Sequence, residues 1–338
     1  MKILVLGGGL SPEHDVSMRS GALVASALEK RGHDVALCDI FRPVADQACA
    51  SFGRCGGSDF SIPKTPASTL EMEKESKNGR LVGEGVIELC MSADVCFLTL
   101  HGGMGEDGHA QALLESYGVA FTGSGMAACH AAMNKHISKL LCREAGMNVP
   151  EGIVLGRKDN RPDVAFPAVV KPCSCGSSVG VSLIFDGTEL DGAIEKAFGF
   201  DDKIIIERMI VGREFSVSVL GDAALPSVEI LPHGGVYDFE SKYQSGMTEE
   251  ICPGRLSVGE EKEIGRLALC AHRALGLDGF SRSDFILGED GVFYYLETNA
   301  IPGLTEVSLL PRAAKAAGIE YGELCEKICM LAKERKKK

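Results

Sequence analysis

The first 125 residues alternate between short apolar runs and helix-forming stretches, and this alternation restricts the fold more than any single motif. "KILVLGG" (2–8) is a brief apolar run that ends in glycines. A run so uniformly apolar reads as a strand covered on both faces. A helix is expected from about Glu13 to Lys30, with "HDVALCDI" (33–40) and "ADVCFLTL" (93–100) as further strands. A helix from about His109 to Tyr117 and a short strand in "VAFTGSG" (119–125) complete the unit. β-α-β alternation of this kind builds an open parallel sheet with helices on both faces. Such sheets bind ligands at the C-terminal ends of their strands, where the glycine-rich loops 7–9 and 102–108 fall. Residues 43–86 hold Pro43, Pro63, Pro66 and the run "EMEKESKNGR", and read as a long connection.

The pattern changes near Met133. "NKHISKLLCREAG" (134–146) is an amphipathic helix closed by Gly146. "FPAVVKP" and "GVSLIFD" form a strand hairpin, "TELDGAIEKAFGF" a helix, and "KIIIERMIVG" a strand running to an edge. Residues 133–213 are therefore a small α+β unit. From 214 to 338 strands dominate. "REFSVSVLG" and "LPSVEIL" precede a polar loop, 233–257, and a helix over 258–275 leads to the hairpin "GFSRSDFILG"/"GVFYYLETN" around "EDG". Such a turn is a short hairpin signal. Two helices close the chain.

At 338 residues the chain has room for two or three cores. Its net charge of −12 makes it a poor partner for a phosphate backbone, so nucleic acid is not expected. No apolar run approaches a membrane span or a signal-peptide core, which predicts a cytoplasmic protein without a membrane partner. The terminal "KERKKK" reads as a solvated tail. The 13 cysteines include no C-x-x-C and no zinc-type cluster with histidine. They are expected as reduced, mostly buried thiols, with Cys325 and Cys329 packed in a core one helical turn apart.

Four features can carry chemistry. Gly7-x-Gly9-x-x-Pro12 resembles a dinucleotide fingerprint without its third glycine, and its amides can face an anion. The chain has no Gly-Lys dipeptide, which removes a P-loop. In the last hairpin Glu297 and Asn299 share a strand face, and Asp284 can meet them across the turn. Three hard oxygen donors suit Mg²⁺, although a solvated hairpin face has the same spacing. Lys171 ends an apolar strand before "PCSCGSSVGVS", and Lys135 opens a helix. Each is a point charge suited to a phosphate or a solvated lysine, and the small-residue loop can read as a thiol pair (Cys173, Cys175), a phosphate cradle or a surface turn.

Together these stretches resemble the ATP-grasp fold and, more narrowly, the D-alanine–D-alanine ligase family. The matching segments run in order along nearly the whole chain: "GGGLSPEHDVSMRSG", "LHGGMGEDG", "FTGSG", "MNKHISK", "KPCSCGSSVGVS", "IIIERMIVGREFSV", "YDFESKY", "CPG", "SRSDFIL" and "YLETNAIPGLTEVSLLP". The resemblance implies α/β and α+β architecture in three domains. These are an N-terminal parallel-sheet domain (1–132), a central small ATP-grasp domain (133–213) and a C-terminal domain (214–338) with the metal site and a mobile loop within 233–257. It implies ATP-dependent joining of two D-alanines through a D-alanyl phosphate, for peptidoglycan precursor synthesis, in a homodimer.

The resemblance also implies residue roles. Lys135, Lys171 and Lys242 would bind ATP phosphates, Glu207 and the backbone of Arg208 to Ile210 the adenine, and Glu214 the ribose. Asp284, Glu297 and Asn299 would hold two Mg²⁺, with Mn²⁺ as a substitute. The first D-alanine would lie near Asp15, His101, Ser177 and Tyr243. Arg282 and the Gly303 amide would stabilise the oxyanion, Ser308 would hold the second substrate's carboxylate, and Lys242 and Tyr243 would ride on the closing loop. Four positions depart from the family pattern: Asp15 for Glu, Asn134 for Asp, Cys175 for Glu and Ala300 for Thr. D-serine as second substrate, a non-catalytic ATP- or amino-acid-binding homologue and an NAD oxidoreductase are the alternatives.

Overall fold

Three sheets follow one another along the chain in the computed structural model, which describes residues 1–53, 60, 81–176, 178–232 and 248–335. The first is parallel, in the order β2-β1-β3: β1 (Lys2–Gly7), β2 (Asp34–Asp39) and β3 (Val95–Leu98). Its strands are almost wholly buried, which explains their unbroken apolar runs. Helix α1 (His14–Lys30) makes the crossover from β1 to β2, and α2 (Val86–Met91) enters β3. After α3 (His109–Ser116), the strand expected in "VAFTGSG" is only an isolated parallel bridge from Cys96 to Phe121. The Leu98 amide donates to the Thr122 hydroxyl at 2.9 Å and not to a backbone carbonyl of that segment.

The second sheet is antiparallel, ordered β4-β7-β5-β6: β4 (Gly152–Gly156), β5 (Ala168–Pro172), β6 (Ser182–Ile184) and β7 (Lys203–Arg208). The β5/β6 hairpin is present, but β7 is interior, not at an edge. β4, from a segment with no strong strand signal, pairs along its outer side. Before this sheet come α4 (Met126–Met133) and α5 (Lys135–Glu144). Asn134 caps α5: its side-chain oxygen accepts the amides of His136 (3.1 Å) and Ile137 (3.0 Å). Asparagine caps as well as aspartate does, so this departure leaves the helix start intact. α6 (Leu190–Phe198) covers β5 and β7.

The third sheet runs β11-β10-β8-β12-β13, with the short β9 (Ala223–Ala224) beside β8. Its strands are β8 (Gly212–Leu220), β10 (Val228–Pro232), β11 (Thr248–Ile251), β12 (Phe280–Gly288) and β13 (Phe293–Asn299). Helix α7 (Val258–Ala274) begins with a capping box between Ser257 and Glu260. The closing helices α8 (Leu309–Ala316) and α9 (Tyr321–Arg335) return to the first unit. Leu324, Cys325, Ile328 and Cys329 share one core with Ile3, Val5, Val24 and Leu28. Cys325 and Cys329 are thus core residues, as expected.

Candidate functional site

The hairpin of β12 and β13 sets four polar side chains in a block. Arg282 lies opposite Asn299 and Asp284 opposite Glu297, with a register shift directly after Asp284. Residues two apart on a strand share a face, so all four project together. Arg282 donates to both oxygens of Asp284, Nε at 3.0 Å and a terminal nitrogen at 2.9 Å. Ser216 on β8 donates to the same carboxylate at 2.7 Å. The Ile301 amide donates to Asn299 Oδ1 at 2.9 Å.

A cavity of about 450 Å³ opens over this block. It takes in Arg282, Asp284, Glu297 and Asn299, and also Lys135, His101, Gly303 and Ser308. Lys135 is 94% buried (6% exposed) and joins two regions: its Nζ donates to the Cys175 carbonyl at 2.6 Å and pairs with Glu297 at 3.0 Å. Gly303 and Ser308 adjoin so closely that a Cβ on Gly303 would sit 2.8 Å from the Ser308 hydroxyl. Ser308 precedes α8, and its hydroxyl accepts the Thr305 amide at 3.1 Å.

Asp15 does not line the cavity; Glu13 does. Asp15 is bonded to His14 Nδ1 at 3.0 Å. Glu13 is the residue before α1, and Asp15 lies in its first turn. Glu13 reaches the loop 102–108 instead, where a Cβ on Gly102 would lie 2.9 Å from its carboxylate. Burial lowers the His101 pKa, opposed by Glu13 and reinforced by Arg282. Glu106, another lining residue, is pushed up to about 7 by burial, with the Gly102 amide acting against that rise. Glu13 and Glu106 were both legible inside quoted motifs, "SPEHDVS" and "HGGMGEDG", yet nothing in spacing alone singled them out.

The glycine loop 7–9 is closed to an anion. The Gly8 amide donates to Ser17 Oγ at 2.8 Å and the Gly9 amide to Asp39 Oδ1 at 3.0 Å. A Cβ at Gly8, whose φ is +70°, would collide with Asp39 at 2.3 Å. The near-fingerprint therefore secures β1 to β2, and its amides are not offered to a dinucleotide.

Beyond the cavity, Lys171 and Glu207 form an ion pair of 2.5 Å. Lys139, which drew no attention in the sequence, pairs with the other oxygen of Glu207. It stands four residues after Lys135, and i,i+4 spacing on a helix was the available signal. Arg208 is exposed and packs over Tyr294 at 5.6 Å, while Ile210 and Glu214 are half-buried on either side of the link from β7 to β8. None of Lys171, Glu207, Arg208, Ile210 and Glu214 lines the cavity itself. Ser177, Lys242 and Tyr243, and the loop 233–247, lie outside the described residues.

The thiol pair dissolves. Cys173 is buried, and burial pushes its thiol up to about 11. The Cys175 thiol donates to the Phe200 carbonyl at 3.6 Å, and burial raises its pKa too. Thiols so disposed are poor nucleophiles and metal ligands. Among the described residues no group of three His, Cys, Asp or Glu is placed to hold a metal, so Asp284 and Glu297 would need Asn299 as third donor. Two carboxylates and an amide oxygen on one sheet face are hard donors that suit Mg²⁺. Among the described residues, no helix is long and apolar enough to cross a membrane.

Comparison with known proteins gives one consistent result. Residues 2–124 match the family described as D-ala D-ala ligase N-terminus, and residues 141–330 that described as D-ala D-ala ligase C-terminus. A D-alanine--D-alanine ligase of Pediococcus pentosaceus is 38% identical over 98% of this chain and 97% of its own length. One from Geotalea uraniireducens is 39% identical over 98% of this chain and 95% of its own. The crystal structure of D-alanine--D-alanine ligase from Bacillus anthracis complexed with ATP superposes with a TM-score of 0.77 at 27% identity, covering 100% of this chain and 98% of that one.

Proposed function

The chain belongs to the D-alanine–D-alanine ligase family and has its ATP-grasp fold, and from that premise we propose how its own residues join two D-alanines at the expense of ATP. The supporting observation is the convergence in one cavity of Arg282, Asp284, Glu297, Asn299, Lys135, Gly303 and Ser308. A site for pure binding has no need of a guanidinium and a backbone amide beside a carboxylate-binding hydroxyl.

A carboxylate is a poor electrophile, and transfer of the γ-phosphoryl group of ATP to its oxygen turns it into an acyl phosphate. ADP departs with the electrons of the broken P–O bond. The amine of the second amino acid then attacks the acyl carbon. The resulting tetrahedral oxyanion collapses, expelling phosphate, and the nitrogen loses a proton to leave the amide. Negative charge is concentrated throughout, and fixed cations and N–H dipoles stabilise it best where water is excluded. Lys135 and Lys171 hold phosphate oxygens as point charges, and Glu207 with the backbone of Arg208 to Ile210 meets the adenine. Glu214 holds the ribose hydroxyls. Asp284, Glu297 and Asn299 would hold Mg²⁺, which when bound supplies charge neutralisation for the phosphates.

Arg282 stands where the oxyanion forms, with the Gly303 amide beside it. Ser308 offers its hydroxyl at the start of α8, where the helix dipole also favours a carboxylate. Asp15 is the acid for the ammonium of the first D-alanine, and Glu13, which lines the cavity with His101, is a second candidate for it. The units divide near 132 and 213, the enzyme works in the cytoplasm, and it forms a homodimer. D-alanine-dependent release of phosphate from ATP tests the reaction. Turnover absent with D-alanine but present with another D-amino acid would reassign the substrate, and phosphate release with neither would refute catalysis.

A further inference from the structure

Lys139 lies one helical turn beyond Lys135 on α5, and both are buried. Its ammonium pairs with Glu207 Oε2, while Lys171 holds Oε1 of the same carboxylate. Helix α5, the end of β5 and the end of β7 thus meet on one acid. The three side chains are only 3% (Lys139), 7% (Lys171) and 3% (Glu207) exposed. Two buried cations thus face one anion, and Glu297 is a second acid near Lys171. Burial, and then repulsion from Lys171, lowers Lys139 to about 7; burial also pulls Lys171 down, but attraction and hydrogen bonding to Glu207, with Glu297 nearby, together raise it.

The roles proposed above give Glu207 two tasks, reading adenine and pairing Lys171. Lys171 can turn its charge toward a phosphate only if Glu207 keeps another cation. Lys139 supplies it from a helix, on the oxygen that Lys171 does not use. We propose that Lys139 is a positioning residue for selection of the nucleotide base. It anchors one oxygen of Glu207, fixes the carboxylate that reads the exocyclic amine of adenine, and frees Lys171 for the phosphates. The inference rests on the assignment of Glu207 to the base.

The test compares binding of ATP with that of ITP, whose base carries a carbonyl where adenine carries the amine. Calorimetry on the full chain would measure both dissociation constants for wild type, Lys139→Met, Glu207→Gln and the double variant. A hydrogen bond to a charged group predicts a wild-type preference for ATP of about 10-fold or more. That preference is expected to fall toward unity in Lys139→Met, to the level of Glu207→Gln, with no further fall in the double variant. The KM for ATP should rise while the KM for D-alanine holds. Removing Lys139 leaves Lys171 and Glu207 charge-matched, so the variant is expected to fold. A Lys139→Met protein that keeps the wild-type ATP-to-ITP ratio, whatever its thermal stability, overturns the proposal by reducing Lys139 to a structural ion-pair partner. A wild type without preference overturns it together with the Glu207 assignment. Failure of D-alanine-dependent phosphate release would strike the reaction and not this inference, because the ratio is read by binding alone.

Discussion

Glu13 and Asp15 stand two positions apart at the start of α1, and only the first lines the cavity. The family resemblance pointed to Asp15, and nothing in the sequence singled out Glu13 in the same motif, "SPEHDVS". Asp15→Asn should raise the KM for the first D-alanine about 10-fold or more, as expected when a hydrogen bond to a charged group is lost. Glu13→Gln should change it far less. Phosphate-release kinetics at varied D-alanine separates the two, and a larger effect at Glu13 would pass the ammonium to that residue. Cys175 is a similar case of position deciding role. Its carbonyl holds Lys135 while its thiol turns to Phe200. Cys175→Ser is accordingly expected to keep most of the turnover.

At the scale of elements, the loop after β1 is held by a buried network. His14 bonds Asp39 through Nε2 at 2.9 Å, and Asp39 accepts the amides of Gly9 and Phe41, each at 3.0 Å. Burial alone would lower the His14 pKa, but its bonds to Asp39 and Asp15 outweigh burial and raise it above 6.5. Burial alone would raise Asp39, but His14 and the two amides hold it below 3.8. A histidine raised on folding contributes stability that is complete below its ordinary pKa and lost as pH climbs through the raised value. A carboxylate lowered on folding contributes above its ordinary pKa and loses that contribution as pH falls through the lowered value. The pair therefore stabilises most between 3.8 and 6.5. Asp39→Asn keeps an acceptor for the amides and removes the charge. Its deficit in denaturation midpoint against wild type should be largest in that window and should shrink as pH rises through the raised His14 value. A deficit independent of pH would show that the charge pair is not what matters.

At the scale of the molecule, the last helix completes the first core. Leu324 is fully buried among Ile3, Val5, Val24 and Leu28, more than 290 residues away in sequence. Leu324→Ala should cost about 2–5 kcal/mol, the range for a buried leucine that leaves a cavity. Because this core joins the chain's two ends, denaturant unfolding should remain one transition for probes in the N-terminal unit and in α9. Separate transitions, with the N-terminal unit unmoved by the substitution, would refute a shared core.

The sequence by itself determined that the first unit is built on parallel strands, the hairpin that carries Asp284, Glu297 and Asn299, and the family. These are recorded in local periodicity, turn residues and ordered motifs, each read within a short window. The tertiary structure decided the interior place of β7, the closure of the glycine loop by Ser17 and Asp39, the presence of Glu13 in the cavity lining, and the gathering of Lys139 and Lys171 on Glu207. Each of these depends on which distant side chain takes a given hydrogen-bonding group. Local pattern sets which face a residue occupies, but packing between elements sets what that face meets.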